Sequence, residues 1–131
     1  MKKGTYILII QLNQDCNIEV GSLEELHLHE GYYCYIGSAF SPGGLKRVQR
    51  HKQVSSGENE NIQWHIDYLN SHNKAEIIKV EKFIEQKIEC ELANKLEGED
   101  IDGFGSSDCS CRSHLQYFEN KSEISDNIKR Y

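Results

Sequence analysis

Residues 5–10 read Thr-Tyr-Ile-Leu-Ile-Ile. A run of β-branched, aromatic and apolar residues with no polar alternation is the signal of a strand buried on both faces, so the chain must build a sheet around it. Residues 31–37, Gly-Tyr-Tyr-Cys-Tyr-Ile-Gly, give a further strand, rich in aromatics and closed by glycine. Between them, Asn13-Gln14-Asp15 supplies turn chemistry and residues 17–23 alternate well enough for another strand, which predicts a hairpin with the first.

Downstream, Ser41-Pro42-Gly43-Gly44 breaks the chain, because paired glycines are costly inside a helix, and feeds a helix over about 45–54. Within it Leu45 and Val48 share one face. Arg47 and His51, four apart, share another, so both side chains can point into one cleft. Residues 55–61 read as an exposed loop and 64–70 as a short helix. Residues 75–83 alternate as a strand, and Ile84, Ile88, Leu92 and Leu96 form a helical stripe over 84–96. Residues 98–113 are irregular and rich in Gly and Ser. Residues 114–118 suit an edge strand, and a short polar helix over about 122–129 closes the chain. These elements predict an α/β (α+β) fold: one small, largely antiparallel central sheet flanked by helices.

At 131 residues the chain fits one domain, 1–131. A mean hydropathy of −0.66 and the lack of any apolar run near the roughly 20 residues of a membrane span argue against a membrane protein. The start, Met1-Lys2-Lys3-Gly4, reads as the beginning of a strand and not as a signal peptide. The expected location is therefore cytoplasmic, with the five cysteines mostly reduced. A net charge of −6 argues against nucleic-acid binding by overall charge. The segment Lys46-Arg47-Val48-Gln49-Arg50-His51-Lys52 is nonetheless basic and free of acids, enough to grip a few phosphates in a salt-sensitive way.

The chemistry-bearing residues are Tyr6 and Tyr35, each on a strand within a Gly-flanked triplet, Arg47 and His51 on the following helix, and Glu89 on the later amphipathic stretch. Gly4-Thr5-Tyr6, Tyr35-Ile36-Gly37-Ser38-Ala39, the Lys46-Arg47-x-x-Arg50-His51 helix, and Glu89 with Leu92, Ala93 and Leu96 together resemble the GIY-YIG nuclease family over about residues 4–96, leaving 98–131 as a C-terminal extension. Gly43-Gly44-Leu45, Trp64-His65-Ile66-Asp67-Tyr68-Leu69 and Ser107-Asp108-Cys109-x-Cys111-x-Ser113-His114-Leu115 look like an uncharacterised, single-domain prokaryotic subfamily of it, sometimes fused to base-excision DNA glycosylases.

The resemblance implies a metal-dependent endonuclease acting on DNA, in repair. Glu89 would be the ligand of one Mg²⁺ (or Mn²⁺), a hard cation content with few carboxylates and several waters. Arg47 would fork onto phosphate oxygens, Tyr6 would activate the attacking water, Tyr35 would orient it, and His51 would relay protons or bind phosphate. Lys46, Arg50, Lys52 and His65 are the expected nucleic-acid contacts. Thr5 stands where the family motif has isoleucine and keeps the β-branched shape, while residues 17–30 read as an inserted strand and loop at the sheet edge. Glu91 and Glu85 are alternatives to Glu89. Cys109, Cys111 and His114 offer a structural Zn²⁺ set that lacks its fourth ligand, against packed thiols in a tight loop. His27 and His29 alternate on one side of a strand with no partner carboxylate in the sequence pattern, which argues against a metal site there. The alternative function is a non-catalytic nucleic-acid-binding module on the same fold.

Overall fold

The structure, a computed structural model, describes residues 3–19, 25–40, 44, 46–59, 65–72, 74–88, 91–92, 96, 98–101 and 115–124. The elements run β1 (Gly4–Leu12), β2 (Cys16–Glu19), β3 (Glu25–Leu28), β4 (Gly31–Ala39), α1 (Lys46–Ser56), α2 (His65–Asn70), β5 (Ala75–Ile84), β6 (Glu99–Asp100) and β7 (Leu115–Phe118). Five strands form one antiparallel sheet in the order β5-β1-β4-β7-β6, and β2 pairs with β3 in a separate two-stranded sheet. The fold is α+β with a mostly antiparallel sheet.

The apolar run that opened the sequence is the sheet's central strand. β1 pairs with β4 on one side and β5 on the other, and both of its faces are buried. Period-two alternation sorts its side chains. Tyr6, Leu8, Ile10 and Leu12 join Tyr33 and Ala39 of β4 under a cover of Val48, Ile66, Leu69, Cys16, Ile18 and Leu28. Ile7 and Ile9 join Cys34 and Ile36 on the opposite face, covered by Leu92, Leu96 and Ile124. Burying Val48 and Val54 of α1 contributes about 1.5–3 kcal/mol each and holds that helix on the Tyr6 face.

Four expectations are corrected. β1 does not form a hairpin with β2, because β4 and β5 occupy both of its hydrogen-bonding edges. The inserted segment does not extend the sheet edge either: β2 and β3 form a separate hairpin whose Cys16, Ile18 and Leu28 pack on the Tyr6 face of the sheet. The helical stripe starts later than Ile84, which ends β5 and is 43% exposed. Glu85 then turns the chain with φ 59°, and helical backbone bonds run from Leu92 N–H to Ile88 O (2.8 Å) and from Leu96 N–H to Leu92 O (3.0 Å). Finally, β7 is not an edge strand, since the two-residue β6 pairs along its outer side.

Candidate active site

Tyr6 and Gly37 are cross-strand partners on β1 and β4, and Tyr35 sits opposite Leu8. Tyr6, Leu8, Tyr35 and Gly37 therefore share one face, toward α1. Gly37 is where the two aromatic motifs meet physically. A Cβ built there would lie 2.7 Å from Tyr6 Cε2 and closer still to Cζ and the hydroxyl oxygen. Only a residue without a side chain lets the Tyr6 ring lie across β4, and that ring position carries the hydroxyl to the helix.

α1 presents Arg47 and His51 to this face. The Tyr6 hydroxyl lies 2.8 Å from His51 Nε2, and both residues are 1% exposed. Behind the imidazole, Asp67 Oδ1 lies 3.8 Å from Nδ1. The Asp67 carboxylate, itself fully buried, accepts a two-pronged bond from Arg50: Nη1 to Oδ1 at 3.1 Å and Nη2 to Oδ2 at 3.0 Å. This fork ties α1 to α2, the geometry in which arginine holds a carboxylate best. Arg47 Nη1 donates to Ser38 O at 2.7 Å, which fixes it beside the strand that carries Gly37. The half-buried Tyr35 ring stands edge-on to His51 with centroids 6.1 Å apart.

Electrostatics assigns the protons. Burial pushes the Tyr6 phenol far above its ordinary value, Tyr35 and Asp67 push the same way, and the Arg47 guanidinium pulls against them. Tyr6 is therefore a phenol at neutral pH. Burial lowers the His51 pKa, against the opposing pull of Asp67. The ring is then neutral at pH 7. The facing carboxylate favours its proton on Nδ1, which leaves Nε2 to accept the Tyr6 O–H.

Tyr6, Tyr35, Arg47 and His51 thus come together. Lys46 and Lys52 are exposed on α1, whereas the Arg50 guanidinium is engaged by Asp67, so its part in the site runs through that carboxylate. His65 is the first residue of α2; its side chain, Glu89, and the Cys109, Cys111 and His114 set lie outside the described residues. Glu85 is at the turn after β5 and Glu91 is exposed.

The sequence leaves Asp67, like His65, open between joining the site from the 64–69 segment and making an ordinary hydrogen bond; packing of α2 against α1 places it behind His51. The part played by Thr5 was missed. Thr5 does more than keep a β-branched shape. Its fully buried hydroxyl donates to Gln86 O at 2.6 Å and accepts from Ile88 N–H at 3.1 Å. These two bonds lock residues 86–88, immediately before Glu89, against the start of the strand that carries Tyr6.

Together these elements define a small α+β domain with a buried tyrosine–histidine–aspartate–arginine chain on one face of its sheet. A family model described as "Domain of unknown function DUF123" matches residues 5–131, and the chain belongs to that family. No curated protein and no solved structure matches it.

Proposed function

We propose that this protein is a phosphodiester hydrolase of the GIY-YIG type that cleaves DNA, in repair, with Mg²⁺ or Mn²⁺ as cofactor. The observation that carries the reading is the 2.8 Å contact between the Tyr6 hydroxyl and His51 Nε2, with Asp67 behind the ring. A lone buried tyrosine would be a poor base, because its phenol holds its proton too tightly. The relay removes that difficulty. As water attacks phosphorus, it passes a proton to the Tyr6 oxygen while Tyr6 passes its own to His51 Nε2. The net transfer is from water to imidazole, and no free phenolate is required. Asp67 steadies the imidazolium that forms. One P–O bond forms to the water oxygen, and the bond to the leaving oxygen breaks, that oxygen taking a proton from solvent while His51 later returns its own to solvent.

Arg47 supplies a planar cation for the phosphate oxygens, and the half-buried Tyr35 orients the incoming water. Glu89 would hold the cation, which would supply charge stabilisation at the scissile phosphate. Lys46 and Lys52 extend the positive face along the DNA backbone.

The test is nicking of duplex, single-stranded, branched and lesion-bearing DNA with Mg²⁺ or Mn²⁺. Cleavage of at least one substrate, abolished in Glu89→Ala, is expected; a wild-type protein that leaves all four intact argues against the reading. The second reading, a non-catalytic nucleic-acid-binding module, draws on the 1% exposure of both Tyr6 and His51. It predicts salt-sensitive binding weakened by Arg47→Ala, without cleavage under any metal condition.

A further inference from the structure

The β2–β3 hairpin carries a second cluster, unrelated to the relay. In its register Cys16 pairs with Leu28 and Asn17 with His27. Cys16, Ile18 and Leu28 are buried, so Asn17 and His27 face solvent. One step beyond the last pair brings Asp15 and His29 to the same outer face. Asp15, His27 and His29, all exposed, each offer one ligand atom, and these atoms lie within 4.8 Å of one another. We propose that Asp15, His27 and His29 form a binding site for a borderline divalent transition cation such as Zn²⁺, Ni²⁺ or Co²⁺.

The hydrogen bonds around the cluster prepare it for that role. His27 Nδ1 lies 2.6 Å from Asn17 Oδ1. An amide oxygen only accepts, so Nδ1 carries the proton and Nε2 keeps its lone pair for a metal. Asp15 Oδ1 accepts from Glu30 N–H at 2.6 Å, which orients the carboxylate and leaves its second oxygen to the ion. The segment after β3 is clamped: the Tyr33 hydroxyl donates to His29 O at 2.8 Å and the Tyr117 hydroxyl to Glu30 O at 2.9 Å. The two imidazoles stand edge-on, 4.9 Å between centroids.

Ligands about 2.0–2.1 Å from a tetrahedral ion are about 3.4 Å apart, so closing the set from within 4.8 Å asks for up to about 1.4 Å of approach between ligand atoms. Exposed side chains provide that by rotation about their own bonds. Two imidazoles and one carboxylate select transition cations over Mg²⁺, which favours an all-oxygen shell. The fourth position is left to water. The location excludes the relay: Gly31 is opposite Leu12, whereas Gly37 is opposite Tyr6, which puts the two clusters about 20 Å apart along the strands at roughly 3.3 Å per residue. A bound ion would clip the turn after β1 to the end of β3 and hold the hairpin on the sheet.

The test uses untagged full-length protein with Cys109→Ser and Cys111→Ser, so that those thiols do not compete. Titration with Ni²⁺ or Co²⁺, followed by calorimetry and by the visible absorption of Co²⁺, should show one equivalent bound and not displaced by excess Mg²⁺. His29→Ala and His27→Ala should each weaken binding at least 100-fold, and Asp15→Asn at least 10-fold. All three should keep the metal-free melting temperature within about 3 °C, since the side chains are exposed. Absence of binding in the parent, or unchanged affinity in the paired His27→Ala, His29→Ala variant, would overturn the proposal. Cleavage of DNA does not enter either readout, so the outcome is independent of the nuclease assignment.

Discussion

Replacing Gly37 by alanine should be among the most damaging single-methyl additions this chain can receive. The new Cβ would sit 2.7 Å from Tyr6 Cε2 and closer to Cζ and the hydroxyl, where ordinary contacts are about 3.5–4.0 Å. The Tyr6 ring, 1% exposed and bonded at its tip to His51, has no solvent to swing into. Either β4 moves away from β1 or the ring does, and moving the ring breaks the hydroxyl–imidazole contact. Overpacking costs about 1–3 kcal/mol, and an orphaned buried acceptor about 1–3 kcal/mol more. The expected loss is about 2–6 kcal/mol, measured by urea denaturation. The same substitution in a Tyr6→Ala background should cost under about 1 kcal/mol, because the atoms it strikes are gone. That coupling is the decisive quantity. A Gly37→Ala protein as stable as the parent, or a penalty undiminished without the Tyr6 ring, would refute the reasoning.

Other consequences follow from the same contacts. Thr5→Val keeps the shape but leaves the Ile88 N–H without its acceptor; it should cost about 1–3 kcal/mol, speed amide exchange at residue 88, and slow DNA cleavage through Glu89. Asp67→Asn removes the carboxylate charge that the largely buried Arg50 guanidinium grips and should destabilise by up to about 3–5 kcal/mol, read by thermal melting. Because burial lowers the His51 pKa in the folded state, the unfolded chain takes that proton first. Stability from this group is complete above pH about 6.5 and falls as the pH drops below it; denaturation of wild type against His51→Gln across pH 7 to 5 measures the difference. Because burial holds the folded-state His51 pKa down, the cleavage rate should fall only at a pH below the ordinary imidazole range, where the folded ring takes its proton.

The strands and helices were legible wherever a local period sufficed. The buried run of β1, the aromatic β4, α1 with its Arg47–His51 spacing, and the short α2 follow from residue type and spacing alone. What lay hidden depends on pairing between distant segments. That Gly37 lies under the Tyr6 ring requires the β1–β4 register. That Asp67 backs His51 requires two helices side by side, and only that packing turns Arg50 inward onto its carboxylate instead of outward toward nucleic acid. His27 and His29 lacked a carboxylate in the linear pattern, because Asp15 reaches them only once the hairpin forms. The stripe from Ile84 to Leu96 was overextended because a turn at Glu85 leaves no mark on hydrophobic periodicity. Thr5 passed as a shape substitute, since a hydroxyl's partners 81 and 83 residues away are invisible to local reading.

The most direct measurement of the central claim is the single-turnover rate of DNA cleavage by wild type and Tyr6→Phe at saturating Mg²⁺ or Mn²⁺, with folding of both checked by circular dichroism. Removing one oxygen breaks the proton path from water to His51 while leaving the ring that packs the core. The account predicts a folded Tyr6→Phe protein that cleaves at least about 100-fold more slowly. A folded Tyr6→Phe protein cleaving at the wild-type rate would contradict it.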